Sequence, residues 1–128
     1  MSGERLTYGR RAESEAERYL RRKGYRILER NVRSPGGELD LVVQGGGVLV
    51  FVEVKARRTS AYGGAPYAVG NRKQARVVRL AAQYLARHRL QHPPCRFDVI
   101  LCTGDAMRPD QIEHIENAFD VPGDDLRW

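Results

Sequence analysis

The chain predicts an α/β domain with a mixed central sheet flanked by helices. Two segments carry apolar residues at helical spacing, five short runs are rich in β-branched and aromatic residues, and only one long loop separates the two groups. The order read along the sequence is αβββαββ. At 128 residues the length suits one domain, expected over 1–119, with 120–128 as a flexible tail.

The first helix is expected from Gly9 to Lys23, where Ala12, Ala16, Tyr19 and Leu20 share a face and Gly24 supplies the stop. "YRILERNV", "ELDLVV" and "VLVFVEVKA" follow as strands, the last two joined through a glycine-rich turn. "RRTSAYGGAPYAVG", Arg57 to Gly70, reads as loop. Asn71 is placed as the N-cap of a second helix reaching about His88, with Val77, Leu80, Ala81, Tyr84 and Leu85 on its buried face. Pro93 and Pro94 end that segment, and "CRFDVILC" and "QIEHIENAF" supply the last strands.

Composition narrows the function classes. Hydrophobic residues make up 41% and charged residues 30%, a globular balance without an apolar run that could span a bilayer. The N-terminal stretch lacks the apolar core of a signal peptide, so a cytoplasmic protein without membrane attachment is expected. Cys95 and Cys102 lie an odd number of positions apart in one strand and should face opposite ways, which argues against a disulfide and against zinc held with His88 and His92. There is no GxxxxGK[ST] loop for nucleotide phosphates. A net charge of +6 favours a polyanionic partner, and that charge is written almost wholly as arginine: the lysines are Lys23, Lys55 and Lys73. A lysine beside Glu53 points to a place for a compact ammonium.

The hairpin holds the unusual chemistry. With a turn centred on Gly45 and Gly46, Asp40 would face Phe51 and Glu38 would face Glu53. Glu38, Asp40, Glu53 and Lys55 then share one side, while Leu39, Leu41, Val43, Val50, Val52 and Val54 fill the other. Such a face is either solvated or a cation site, and opposed carboxylates need a compensating charge. A hard divalent cation, Mg2+ with Mn2+ as a substitute, would take these oxygens, bind a phosphate oxygen and activate water. Lys55 would orient that water or offset charge on phosphorus. The arrangement suits phosphodiester hydrolysis.

The spacing of Asp40 to Glu53-Val54-Lys55, on a hairpin preceded by a glutamate-bearing helix, resembles the PD-(D/E)xK motif of restriction-endonuclease-like nucleases, which include Holliday-junction resolvases. The segments "GRRAESEAERYLRRKGYRILERNVR", "GELDLV", "FVEVKAR", "YAVGNRKQARVVRLAAQYL", "RFDVI" and "IEHIENAF" together resemble the YraN family of small bacterial proteins, mostly uncharacterised and placed in that superfamily by similarity. The resemblance implies a restriction-endonuclease-like αβββαβ core and an endonuclease acting on DNA, including branched DNA. Asp40 and Glu53 match metal ligands, Lys55 the catalytic lysine and Glu13 the extra acid of the helix. Leu39 stands where the motif's lettering has proline. Glu38 matches the YraN-like pattern and either contacts water on the metal or braces Lys55.

Arg33, Arg57, Arg58, Arg72, Lys73 and Gln74 flank this site in sequence and are candidates for phosphate contacts. Tyr62 and Tyr67 could stack on unpaired bases. Junction resolution would call for a homodimer with two active sites. The alternative reading is a non-catalytic nucleic-acid-binding or adaptor protein that keeps the fold while a DNA-processing partner supplies the chemistry.

Overall fold

The computed structural model describes residues 2–57, 71–90, 93–104 and 111–119. Arg58, Tyr62, Tyr67 and the tail 120–128 lie outside the described residues, as do the Arg57 side chain and His92. The elements are α1 (Ser2–Arg22), β1 (Arg26–Ser34), β2 (Gly37–Gly45), β3 (Val48–Arg57), α2 (Asn71–Arg87), β4 (Cys95–Thr103) and β5 (Ile112–Ile115). The strands form one five-stranded sheet in the order β1-β2-β3-β4-β5. β3 and β4 are parallel, as the intervening α2 crossover requires, and the other pairs are antiparallel.

Both faces of the sheet are covered, so the central strands are apolar on both sides. Ala12, Ala16 and Leu20 of α1 pack on Leu41, Val43, Val50, Val52, Ile100 and Cys102. Leu80, Ala81, Tyr84 and Leu85 of α2 pack on Val42, Leu49, Phe51 and Phe97 across the other face. Cys95 belongs to the α2 side and Cys102 to the α1 side, the opposition expected from their spacing. Burial pushes both thiols up to about 11, which leaves them poor nucleophiles.

Two details depart from the expected hairpin. The turn is made by Gly46 and Gly47, with φ of +59° and +79°, so Gly45 pairs with Val48 and Leu41 with Val52. A two-residue hairpin loop of this kind needs positive φ at both central positions. Gly45 is kept in the strand against the Tyr25 ring, where a Cβ would stand 2.6 Å from Tyr25 Cδ1. The pairings of Asp40 with Phe51 and Glu38 with Glu53 are therefore corrected by two residues. A shift of two preserves the faces, because side chains alternate with period two. The second departure is Leu39, which packs with Val32 on the α2 side and not beside Leu41. Beyond Leu41 the β2–β3 ladder ends, and Leu39 follows its β1 partner Val32.

The ends of the elements have local causes. β1 reaches Ser34 and turns through Pro35 and Gly36, the glycine at φ +98°, to pair Ser34 with Gly37. β5 is shorter than "QIEHIENAF" because Asn117 turns the chain at φ 52° and Ala118 N–H donates to Phe97 O.

Candidate functional site

The site begins where the β2–β3 ladder stops. In place of further cross-strand pairing, the Val54 N–H donates to Asp40 Oδ2 at 2.8 Å, so the side chain takes over a backbone acceptor's role. Burial raises the Asp40 carboxyl from 3.8 to about 6; the Val54 bond opposes this, and the charges of Glu13, Glu53 and Glu38 add to it.

Glu13, Glu38 and Asp40 each present an oxygen, and these oxygens lie within 4.8 Å of one another. Glu13 comes from α1, two turns before the helix packs Leu20 into the core, while Glu38 and Asp40 come from the start of β2. Asn31 joins them: its Nδ2 donates to Glu13 Oε1 at 3.0 Å and to Glu38 Oε1 at 3.3 Å. Asn31 occupies the left-handed region at φ 52°, which asparagine tolerates better than most residues. Nothing but its residue type marks it in the sequence. Arg33 Nε donates to Glu38 Oε2 at 3.1 Å, so the bracing partners of Glu38 are Arg33 and Asn31, where the sequence offered Lys55. Three converging carboxylates form a hard oxygen donor set that fits Mg2+ or Mn2+.

Helical phase separates Glu13 from its sequence neighbours. Glu15 is buried and pairs with Arg18, and Glu17 pairs with Arg21 and Arg30.

Glu53 stands apart from the acidic trio. Its Oε1 is bonded by Lys73 Nζ of α2 and lies 3.7 Å from Lys55 Nζ. Lys55 is held below the ordinary ammonium range, first by its hydrogen bond with Lys73, then by burial and the Lys73 charge, against the pull of Glu53 and Asp40. Glu38, Asp40 and Glu53 nonetheless line one cleft, closed by Val77, Phe97 and Phe119. Sheet end and both helices thus contribute charge to one place: carboxylates on the β2 and α1 side, ammonium groups on the β3 and α2 side.

Of the proposed phosphate contacts, Arg33 is engaged with Glu38 and Lys73 with Glu53, while Arg72 projects from the exposed side of α2. Gln74 is partly buried.

A second polar network, missed in the sequence, lies within β4 and β5. Asp98 is fully enclosed, accepting from Arg96 Nε at 2.8 Å, from Asn117 N–H at 3.0 Å and sharing a 2.7 Å bond with His114 Nε2. Arg96 reaches Tyr25 Oη at 2.6 Å, and His114 Nδ1 lies 2.9 Å from Lys23 Nζ. An aspartate inside an apolar strand, "RFDVIL", was the available signal. Satisfied on every side, the network fastens the end of α1 to β4 and β5.

Residues 12–102 match the uncharacterised protein family UPF0102. A UPF0102 protein of Syntrophotalea carbinolica is 46% identical over 125 residues, covering 96% of this chain and 99% of that protein. A relative from Frankia casuarinae is 50% identical over 87% of this chain and 94% of its own length, and one from Symbiobacterium thermophilum is 54% identical over 72% and 78%. The matched span holds the acidic trio, Glu53, Lys55 and Lys73 together, and the chain belongs to the UPF0102 family, the YraN-like family its segments resemble.

Proposed function

We propose that the chain is a metal-dependent endonuclease of the PD-(D/E)xK type that hydrolyses phosphodiester bonds in DNA, including branched DNA. The observation that carries this reading is the convergence of Glu13, Glu38 and Asp40 beside the Glu53, Lys55 and Lys73 cluster. A solvated face would gain nothing from half-burying a carboxylate and tying it to a backbone N–H, as Asp40 is. Asp40, Glu13 and Glu38 would hold Mg2+ or Mn2+, with Glu53 joining them as Lys73 releases it. A bound cation of this kind polarises a phosphoryl oxygen and supplies an activated water. Asp40, fixed by Val54 N–H, orients the donor set, and Lys55 Nζ, 3.7 Å from Glu53 Oε1, would hold the attacking water or meet charge on the phosphate.

The decisive experiment is cleavage of linear duplex, single-stranded and four-way-junction DNA with Mg2+ or Mn2+, by wild type, Asp40→Ala and Lys55→Ala. Loss of cutting in both variants is expected; equal cutting by the variants, or binding without any cutting, removes the enzymatic assignment. A second reading, a non-catalytic nucleic-acid-binding or adaptor protein, is favoured by the hold of Lys73 on Glu53. Binding that survives Asp40→Ala without metal-dependent cleavage by wild type would select it. Symmetric cutting of a junction would further require a homodimer, read by sedimentation with and without DNA.

A further inference from the structure

α2 carries Arg72, Lys73, Arg76, Arg79 and Arg87 and has no acidic residue. α1, by contrast, interleaves its arginines with Glu13, Glu15 and Glu17, of which Glu15 binds Arg18 and Glu17 binds Arg21 and Arg30 of β1. Arg72, Arg76 and Arg79 are spaced i, i+4 and i+7, so they form one row, and all three are exposed. Among the described residues none of the three has an ion-pair partner. They line an open groove with Lys73 and Ala75.

This row opposes helix stability. Cations in the first turn meet the positive end of the helix dipole, and like charges three and four apart repel. Its placement is nevertheless built: Gly37 lacks a side chain where α2 crosses β2, and a Cβ there would lie 3.5 Å from Arg76 Cδ and 3.3 Å from Leu80 Cδ1. Arg87 at the far end is anchored, its Nη2 donating to Ser34 Oγ at 2.7 Å. Lys73 turns from the row to Glu53, so the row starts beside the candidate site.

We propose that the exposed face of α2 is a track for the phosphate backbone of duplex DNA, with Arg72, Arg76 and Arg79 contacting phosphates of one strand. The proposal rests on the reading of the site as one that acts on DNA, and extends it by naming the docking surface. From Arg72 to Arg79 the helix rises roughly 10 Å, and a duplex strand offers a phosphate about every 3.4 Å along its axis, so three contacts fit within one stretch of backbone. Charge complementarity selects the occupant, and guanidinium forks suit phosphate oxygens.

The test is fluorescence anisotropy of a labelled short duplex with the full chain in EDTA, titrated across salt. Three phosphate contacts imply a slope of about −2.7 in log K against log salt, or roughly a 40-fold share of the affinity lost between about 50 and 200 mM. Arg72→Gln/Arg76→Gln/Arg79→Gln should lose that component and flatten the slope, while the Arg→Lys triple variant retains the slope. Arg10→Gln/Arg11→Gln/Arg22→Gln, with equal charge loss on α1, should keep wild-type binding, and circular dichroism melts confirm that each variant is folded. An unchanged slope in the α2 variant overturns the proposal. So does equal weakening by the α1 variant, or binding to single strands or anionic vesicles as tight as to duplex. Because no metal is present, DNA binding without later cleavage sinks the hydrolase reading alone, whereas normal cleavage and KM in the α2 variant sinks the track alone.

Discussion

Replacing Asp40 with asparagine should make the metal-free protein more stable at neutral pH. Burial, with the nearby charges of Glu13, Glu53 and Glu38 and against the Val54 hydrogen bond, raises the Asp40 carboxyl from 3.8 to about 6. At pH 7.5 the group is ionised in both folded and unfolded chains, and the folded chain bears the cost. The gap between 3.8 and about 6, at about 1.4 kcal/mol per pH unit, amounts to about 3 kcal/mol. Asparagine has the same shape, carries no charge and keeps an oxygen for Val54 N–H. Because the folded pKa is raised, the stability due to this group is fully present below the unfolded value and is lost as pH rises through about 6. The advantage of Asp40→Asn should therefore be near zero at pH 3.5 and reach its plateau above pH 7. Urea unfolding in EDTA across that range measures it, and thermal melts should show a Tm gain of roughly 10 °C at the plateau. Added Mg2+ should stabilise wild type and leave the variant unmoved, which reverses or narrows the ranking. An Asp40→Asn protein no more stable than wild type at pH 7.5, or one whose advantage persists at pH 3.5, would refute the reasoning.

The hold of Lys73 on Glu53 joins two side chains of 20% and 19% exposure; Lys73→Met should cost about 2 kcal/mol, most of it recovered when Glu53→Gln is added, as a double-mutant unfolding cycle would read. The same Lys73→Met variant should bind Mg2+ more tightly by calorimetry, since the ammonium no longer competes for Glu53. Asp98→Ala leaves Arg96, His114 and the Asn117 N–H without their acceptor and should cost about 3 to 5 kcal/mol in denaturant unfolding. Burial raises the Asp98 carboxyl, but bonds from His114, Arg96 and Asn117 outweigh it and leave the pKa lowered. Its stabilising contribution is thus present above the unfolded carboxylate value and is lost as pH falls through the folded one. An Asp98→Ala variant should show a shallower acid limb than wild type.

Much of the fold was legible because the signals were periodic. The apolar face of α2, the alternation along β2 and β3 and the odd spacing of Cys95 and Cys102 each depend only on the repeat of a helix or strand. Hairpin register was legible only to within two residues. Gly45, Gly46 and Gly47 can all take positive φ, and the choice among them rests on Tyr25, which packs against Gly45 from twenty residues away.

The charged site divides along the same line. That Asp40, Glu53 and Lys55 stand near one another follows from strand spacing in the sequence, and a two-residue slip does not alter which face they occupy. The resemblance singled out Glu13 among the acids of the helix, but only the tertiary structure decided that it, and neither Glu15 nor Glu17, meets Glu38 and Asp40, and that Asn31 bridges them. It also decided that Lys73 crosses from α2 to Glu53. The physical reason is that local periodicity determines the face a residue shows, whereas the partner on that face is set by how helices seat on the sheet, through packing contacts distant in sequence.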